Sequence, residues 1–217
     1  NLLSYNIDGL ILTGKQHSDR MVQYVRASGI PVAELMDFGG QQLDIQVGFD
    51  NEKAAWDMTN AFLESGKRAI AFFGSMDDPR DLSRFHGTEL ALAAHGLKPY
   101  HMAPRTISSV ALGRQMFLQM QQVRPDIDAI FCTNDDLAVG VLLECQAQGK
   151  TVPQEMAIAG FHGLEIGRAR LQKIASVITP RYEIGKTASE ILIARLAGKD
   201  APDSVNLAYQ IYYGDTL

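Results

Sequence analysis

Short apolar runs of strand length alternate with amphipathic stretches of helix length along almost all of this 217-residue chain. No other feature constrains the fold as strongly. Strand-like runs occupy 7–13, 31–36, 45–49, 68–73, 100–102, 129–132, 156–159, 175–178 and 207–213. Between them the spacing predicts helices over 18–28, 51–65, 81–95, 112–122, 135–148 and 183–196, several closed by a glycine such as Gly29, Gly66, Gly96 or Gly198. This alternation predicts an α/β, doubly wound architecture, because a helical crossover returns each strand parallel to the last. Two runs break off abruptly into polar residues: Phe131-Cys132 into Thr133-Asn134-Asp135-Asp136, and Gly160-Phe161 into His162-Gly163. In an open parallel sheet, ligands bind beyond the carboxyl ends of the strands.

Composition removes several function classes. The net charge is −5 and no Lys/Arg run occurs, which argues against nucleic-acid contact by this segment itself. Cys132 and Cys145 fit no zinc spacing and read as reduced core residues. No apolar run approaches the ~18–20 residues that span a bilayer. The chain does not begin with Met, and its first residues lack the charged start and apolar stretch of a signal peptide, so it is expected to be part of a longer protein. Catalytic signatures are missing: no Gly-x-Ser-x-Gly elbow, no phosphate-cradling glycine loop and no His-Glu-x-x-His. Gly39-Gly40 lacks the spacing of a dinucleotide fingerprint, the five histidines do not cluster, and the adjacent Asp135-Asp136 point different ways. The chain is expected not to be an enzyme and to need neither cofactor nor metal.

Strand count suggests two units. The middle of the chain supplies enough strands for a complete sheet, whereas the first fifty residues supply three, too few for a twin sheet. No linker rich in Pro, Gly or Ser separates them, so short hinge crossings are expected.

An ordered series of motifs then points to a family. Ile7-Asp8-Gly9-Leu10-Ile11-Leu12, Gly29-Ile30-Pro31-Val32 and Val47-Gly48-Phe49-Asp50-Asn51 come first. Arg84-Phe85-His86-Gly87, Asn134-Asp135-Asp136-Leu137-Ala138-Val139-Gly140, Val152-Pro153 through Gly160-Phe161, and Thr179-Pro180 follow in order. The chain resembles the effector-binding core of the LacI/GalR family of bacterial transcription repressors. Glu34-Leu35-Met36-Asp37, Cys132-Thr133-Asn134-Asp135-Asp136 and Gly160-Phe161-His162-Gly163 look closest to its gluconate-type members. The resemblance implies a periplasmic-binding-protein-like fold of two subdomains joined by three crossovers. The amino-proximal subdomain, incomplete here, would hold 1–49 plus 180–202, and the carboxy-proximal one 50–179 plus 203–217. It implies a sugar or sugar-acid effector in the cleft between subdomains, operator DNA bound through an amino-terminal helix-turn-helix absent from this chain, a homodimer, no membrane contact and a cytoplasmic location.

The resemblance also directs attention to particular residues. The family position of Arg84 faces the cleft, and a guanidinium fork suits a carboxylate or vicinal hydroxyls; otherwise it is a solvated helix arginine. Asn134 offers both donor and acceptor, as a polyol requires. Either Asn134 or Asp135 could instead cap the following helix, with Asp135 the better candidate. His162 stands where most family members have aspartate. It removes a negative charge from the site and can donate to an anion, unless it is merely a solvated loop histidine. Thr13 and Lys15 follow a strand end, Thr179 and Arg181 lie at the second crossover, and Ser108 occupies a loop where relatives often carry an aromatic. Glu34 and Asp37 could accept from hydroxyls. The rival reading is an exported solute-binding protein for a transporter; Val152-Pro153-x-Glu155 and Thr179-Pro180 favour the repressor.

Overall fold

A computed structural model describes residues 7–14, 16–40, 42–75 and 78–217. In chain order the elements are β1 (Leu10–Leu12), α1 (Asp19–Ser28), β2 (Val32–Leu35), β3 (Ile45–Gly48), α2 (Asn51–Glu64), β4 (Ile70–Phe73), α3 (Pro79–Ala93), β5 (Tyr100–Met102) and α4 (Val110–Val123). They continue with β6 (Ala129–Cys132), α5 (Asp135–Ala147), β7 (Ala157–His162), α6 (Glu165–Arg168), β8 (Ala175–Ile178), α7 (Arg181–Leu196), β9 (Ser204–Asn206) and β10 (Gln210–Tyr212). The chain divides into two compact units, one of residues up to Asn51 with Pro180–Ala208, the other of Glu52–Thr179 with Tyr209–Leu217.

The first unit holds a four-stranded parallel sheet in the order β1-β2-β3-β9. Helix α7 lies against β2 and β3 and buries Ile184, Ala188 and Ile191, which recur at helical spacing on one face. Ser18 caps α1 by accepting from the Met21 amide at 3.3 Å, and Gly29 ends the helix at φ 66°. Gly48 allows the backbone of β3 to run against Asp37; a Cβ there would sit 2.2 Å from the Asp37 carbonyl oxygen.

The second unit carries a six-stranded sheet in the order β10-β8-β7-β6-β4-β5, parallel except for β10 at one edge. Successive residues of the central strands alternate between two buried faces, which is why these strands read as continuous apolar runs. On one face Phe72, Phe131 and Phe161 meet Phe62 of α2 and Phe85 of α3, with ring centroids 5.6–6.3 Å apart. On the other, Phe73, Ile130, Cys132 and Ile158 pack with Met116, Phe117 and Met120 of α4 and Leu137, Val141 and Leu142 of α5. Each fully buried side chain of this size contributes about 1.5–3 kcal/mol relative to exposure. Helices α4 and α5 touch backbone to backbone at Gly140, where a Cβ would lie 2.2 Å from the Val110 carbonyl oxygen. From β4 the chain first places β5 on one side, then returns to place β6 on the other. Strand order therefore reverses between β4 and β6, and the crevice at their carboxyl ends is the expected ligand position for such a sheet.

The carboxyl-terminal segment differs from expectation. Residues 207–213 were expected to form one strand, with the third crossing after Pro202. Instead Ser204–Asn206 pair in parallel with β3 in the first sheet, and Gln210–Tyr212 pair antiparallel with β8 in the second. Residues 203–208 thus belong to the first unit, and the crossing falls between Ala208 and Tyr209. Both strands are three residues long and half-exposed, so neither leaves an apolar run to read. The short helix α6 was also not anticipated.

Candidate functional site

In the second unit, the polar residues that end β6, β7 and β8 meet the first turns of α3 and α5. Helix α3 begins at Pro79, and Asp78 caps it by accepting from the Arg80 amide at 2.8 Å. One turn in, Arg84 is buried, not solvated: it is 5% exposed. Its Nη1 donates to the Thr133 carbonyl oxygen at 3.0 Å and to Thr133 Oγ1 at 3.2 Å. Its guanidinium carbon lies 3.9 Å from the centroid of the Phe161 ring, a cation–π contact out of water. The fork is therefore anchored at the carboxyl ends of β6 and β7.

Thr133 leads into Asn134, which occupies the N-cap position of α5 without a side-chain cap bond. Asp135 does not cap the helix either, contrary to expectation. It is 1% exposed, and its carboxylate accepts from Ser176 Oγ at 2.6 Å and from the Leu164 amide. Ser176 Oγ in turn accepts from the Gly163 amide at 3.0 Å. Asp135 thereby ties β8 to the turn after β7. The Asn134 amide instead donates from Nδ2 to Ser108 Oγ at 2.9 Å, and Ser108 Oγ donates to Asp136 Oδ2 at 2.9 Å.

Just before that turn, the last residue of β7, His162, stands at φ 93°, a left-handed conformation uncommon for any residue but glycine. Half-buried, its imidazole sets Nδ1 3.4 Å from Thr179 Oγ1 and packs edge-on to Phe161 at 5.2 Å. Strain of this kind costs about 1–3 kcal/mol and collects where a side chain must be aimed. Arg84, Ser108, Asn134, His162 and Thr179 thus fall within one network of the second unit, linked by Thr133 and Phe161.

Asp81, one helical turn before Arg84, belongs to the same edge. Its Oδ2 accepts from the Ser75 amide at 3.2 Å, while Oδ1 is buried and without a hydrogen-bond partner. Burial pushes this carboxyl above the ordinary aspartate value, opposed in part by the nearby Thr133 hydroxyl, the Ser75 amide and the Arg84 charge. The Thr133 hydroxyl stands close enough to favour the charged form, but makes no hydrogen bond of good geometry to Oδ1.

The first unit holds the other expected residues. Thr13 is exposed just after β1, and Arg181 is exposed at the start of α7. Lys15 lies outside the described residues. Glu34 and Asp37, considered as acceptors for ligand hydroxyls, have internal partners. Glu34 accepts from the Leu43 amide at 2.7 Å and pairs with His17 Nε2 at 2.8 Å, and Asp37 accepts from Asn51 Nδ2 at 2.9 Å. Among the described residues no group of three His, Cys, Asp or Glu side chains could hold a metal ion, and no helix is long and apolar enough to cross a membrane.

Sequence reasoning missed Asp81, Thr133, Asp136 and Phe161. Two of them carried a readable signal: Thr133 and Asp136 flank the Asn-Asp pair. Phe161 looked like any buried aromatic.

The second unit is thus a doubly wound sheet whose carboxyl edge is polar and carries a buried arginine. Residues 59–217 match the family described as periplasmic binding protein-like domain, and the chain belongs to the LacI-type regulators within that class. It is 49% identical over 219 residues to the HTH-type transcriptional regulator IdnR of Escherichia coli K12, covering 100% of this chain and 66% of that protein. It is 43% identical over 218 residues to GntR of the same organism, with the same coverage. The crystal structure of transcription regulator GntR from Chromobacterium violaceum superposes with a TM-score of 0.95 at 32% identity, covering 99% of this chain and 80% of that one. A LacI-family regulator from Silicibacter pomeroyi gives a TM-score of 0.94 at 34% identity, covering 99% and 66%. The chain spans 66% of the length of these curated relatives.

Proposed function

We propose that this chain is the effector-sensing core of a transcription repressor, and that it recognises an anionic polyol of the gluconate type at the carboxyl edge of its second unit. One observation carries the reading: a buried guanidinium, fixed by Thr133 and Phe161, shares one sheet edge with the amide of Asn134 and with the imidazole of His162, where the family resemblance implies an aspartate. Arg84 supplies the charge for a carboxylate, Asn134 hydrogen bonds for hydroxyls, and His162 a donor without a repelling charge. Ser108, Thr179 and, from the first unit, Thr13, Lys15 and Arg181 are proposed as further contacts. The effector acts by binding one arrangement of the two units better than another. Coupling is reciprocal, so operator DNA weakens effector binding by the factor that effector weakens operator binding, typically ~5–150-fold. DNA contact lies in a part of the protein outside this chain, and the working species is a cytoplasmic homodimer. The 43–49% identity to helix-turn-helix regulators favours this reading over a transporter's solute-binding protein.

The test is the melting temperature of this chain with gluconate and with neutral glucose. Only gluconate should raise it, by mass action on the folded state. In the full-length protein Arg84→Ala should still bind operator but no longer release it with gluconate. Equal stabilisation by glucose, or normal release by the variant, would refute the assignment.

A further inference from the structure

The chain Asn134–Ser108–Asp136 fixes more than distances. A carboxylate can only accept hydrogen bonds, so the Ser108 hydroxyl must spend its single proton on Asp136 Oδ2, 2.9 Å away. Ser108 Oγ can then only accept from Asn134, which obliges that side chain to turn its Nδ2 toward Ser108, as found at 2.9 Å. Which end of an Asn amide points where is set by its hydrogen-bond network, and here the network has one solution. The Asn134 amide oxygen is left without a donor among the described residues.

We propose that Asp136, acting through Ser108, sets the donor–acceptor polarity of Asn134 and so makes the site select a ligand hydroxyl, which can donate, over a carbonyl, which cannot. The inference rests on the reading that Asn134 contacts the effector. Asp136 is a positioning residue in this scheme.

A single isosteric change removes the constraint on this polarity and allows its reversal. Asp136 Oδ1 accepts from the Leu137 amide at 2.8 Å. In Asp136→Asn that backbone N–H must keep an oxygen opposite it, so the new amide nitrogen faces Ser108. Ser108 then accepts from residue 136 and its proton is released for donation to Asn134, whose amide can turn its oxygen inward and present only N–H groups. In Ser108→Ala the relay is cut and Asn134 is free to present either end.

The experiment measures dissociation constants by calorimetry for gluconate and for its 2-oxo and 5-oxo analogues, in each of which one hydroxyl has become a carbonyl. Intact protein, Asp136→Asn, Ser108→Ala and Asn134→Ala are compared. If Asn134 meets one of these hydroxyls, the intact protein should prefer gluconate over that analogue by ~10-fold or more, the scale set by leaving one polar group unpaired. Asp136→Asn should shrink that preference at least ~10-fold or reverse it, and Ser108→Ala should bring it near unity. A purely structural role would weaken all ligands alike and leave the ratio unchanged, which overturns the proposal. Should Asp136→Asn fail to fold, an unchanged ratio in Ser108→Ala overturns it equally, as does an intact protein without preference against either analogue. If Asn134→Ala binds gluconate normally, the site reading itself falls, and this inference with it.

Discussion

His162 combines a strained backbone with a proposed ligand contact, and two substitutions separate these roles. His162→Gly and His162→Ala both remove the imidazole, losing the same Phe161 and Thr179 contacts. They differ in one methyl group, attached at φ 93°. In an ordinary strand alanine is the more stable of the two by about 0.5–1 kcal/mol, because glycine has more conformational freedom to lose. Here alanine keeps the left-handed strain, about 1–3 kcal/mol, while glycine does not. Subtracting the first term from the second leaves glycine ahead by ~0–2.5 kcal/mol, centred near 1. For a chain of this length 1 kcal/mol corresponds to a shift in melting temperature of about 2–4 °C. Urea titration followed by circular dichroism should give His162→Gly the higher midpoint with an unchanged slope. Both variants should respond to gluconate equally poorly. If alanine is the more stable variant, the backbone at 162 is not strained, and the argument that strain aims the imidazole fails.

Three further outcomes test the same architecture. Asp81→Asn removes a carboxyl whose value is raised in the folded state, mainly by burial. The folded protein holds that proton more tightly than the unfolded chain, so the wild-type group is harmless below the ordinary aspartate range and increasingly destabilising as pH rises through it. Asp81→Asn should therefore melt above the wild type at pH 7, with the gap closing in acid; a gap independent of pH would be inconsistent with a charged, buried Asp81. Gly140→Ala places a methyl group 2.2 Å from the Val110 carbonyl oxygen and should lower stability by about 1–3 kcal/mol in chemical denaturation, since two backbones must separate. A wild-type midpoint would mean that α4 and α5 do not pack as described. Cys132 and Cys145 are both buried, with burial pushing the Cys132 thiol well up and the Cys145 thiol up to about 12. Neither should react with an aromatic disulfide reagent at pH 8 until the protein unfolds, and rapid labelling of native protein would refute that burial.

The fold was legible because its main signal is redundant. Every strand buried on both faces leaves a continuous apolar run, and every helix between such strands leaves a periodic one. Strands β4, β6 and β8 and the helices around them therefore sat close to where periodicity put them. What failed was short and half-exposed. Ser204–Asn206 and Gln210–Tyr212 derive their identity from partners far away in sequence, Gln46–Gly48 and Ser176–Ile178, and hydrogen bonds to a distant strand leave no local pattern.

The site shows the same division between local and distant causes. Asn134 and His162 were conspicuous because polar residues interrupt an apolar run, and Arg84 because the family motif carries it. Their chemistry, however, depends on residues the pattern presented as ordinary. Thr133 and Phe161 turn Arg84 from a solvated helix residue into a buried fork, and Asp135 braces the turn that follows His162 instead of capping α5. An apolar-to-polar boundary therefore marks where a ligand edge lies. Which atom each side chain offers there is decided by partners 13 to 49 residues away: Thr133 for Arg84, Ser108 for Asn134, Thr179 for His162, and Ser176 with its bonds to Gly163 and Asp135. In the scheme proposed for Asn134, specificity is consequently open to change without touching a ligand contact, since replacing Asp136 alone would free Asn134 to reverse what it presents.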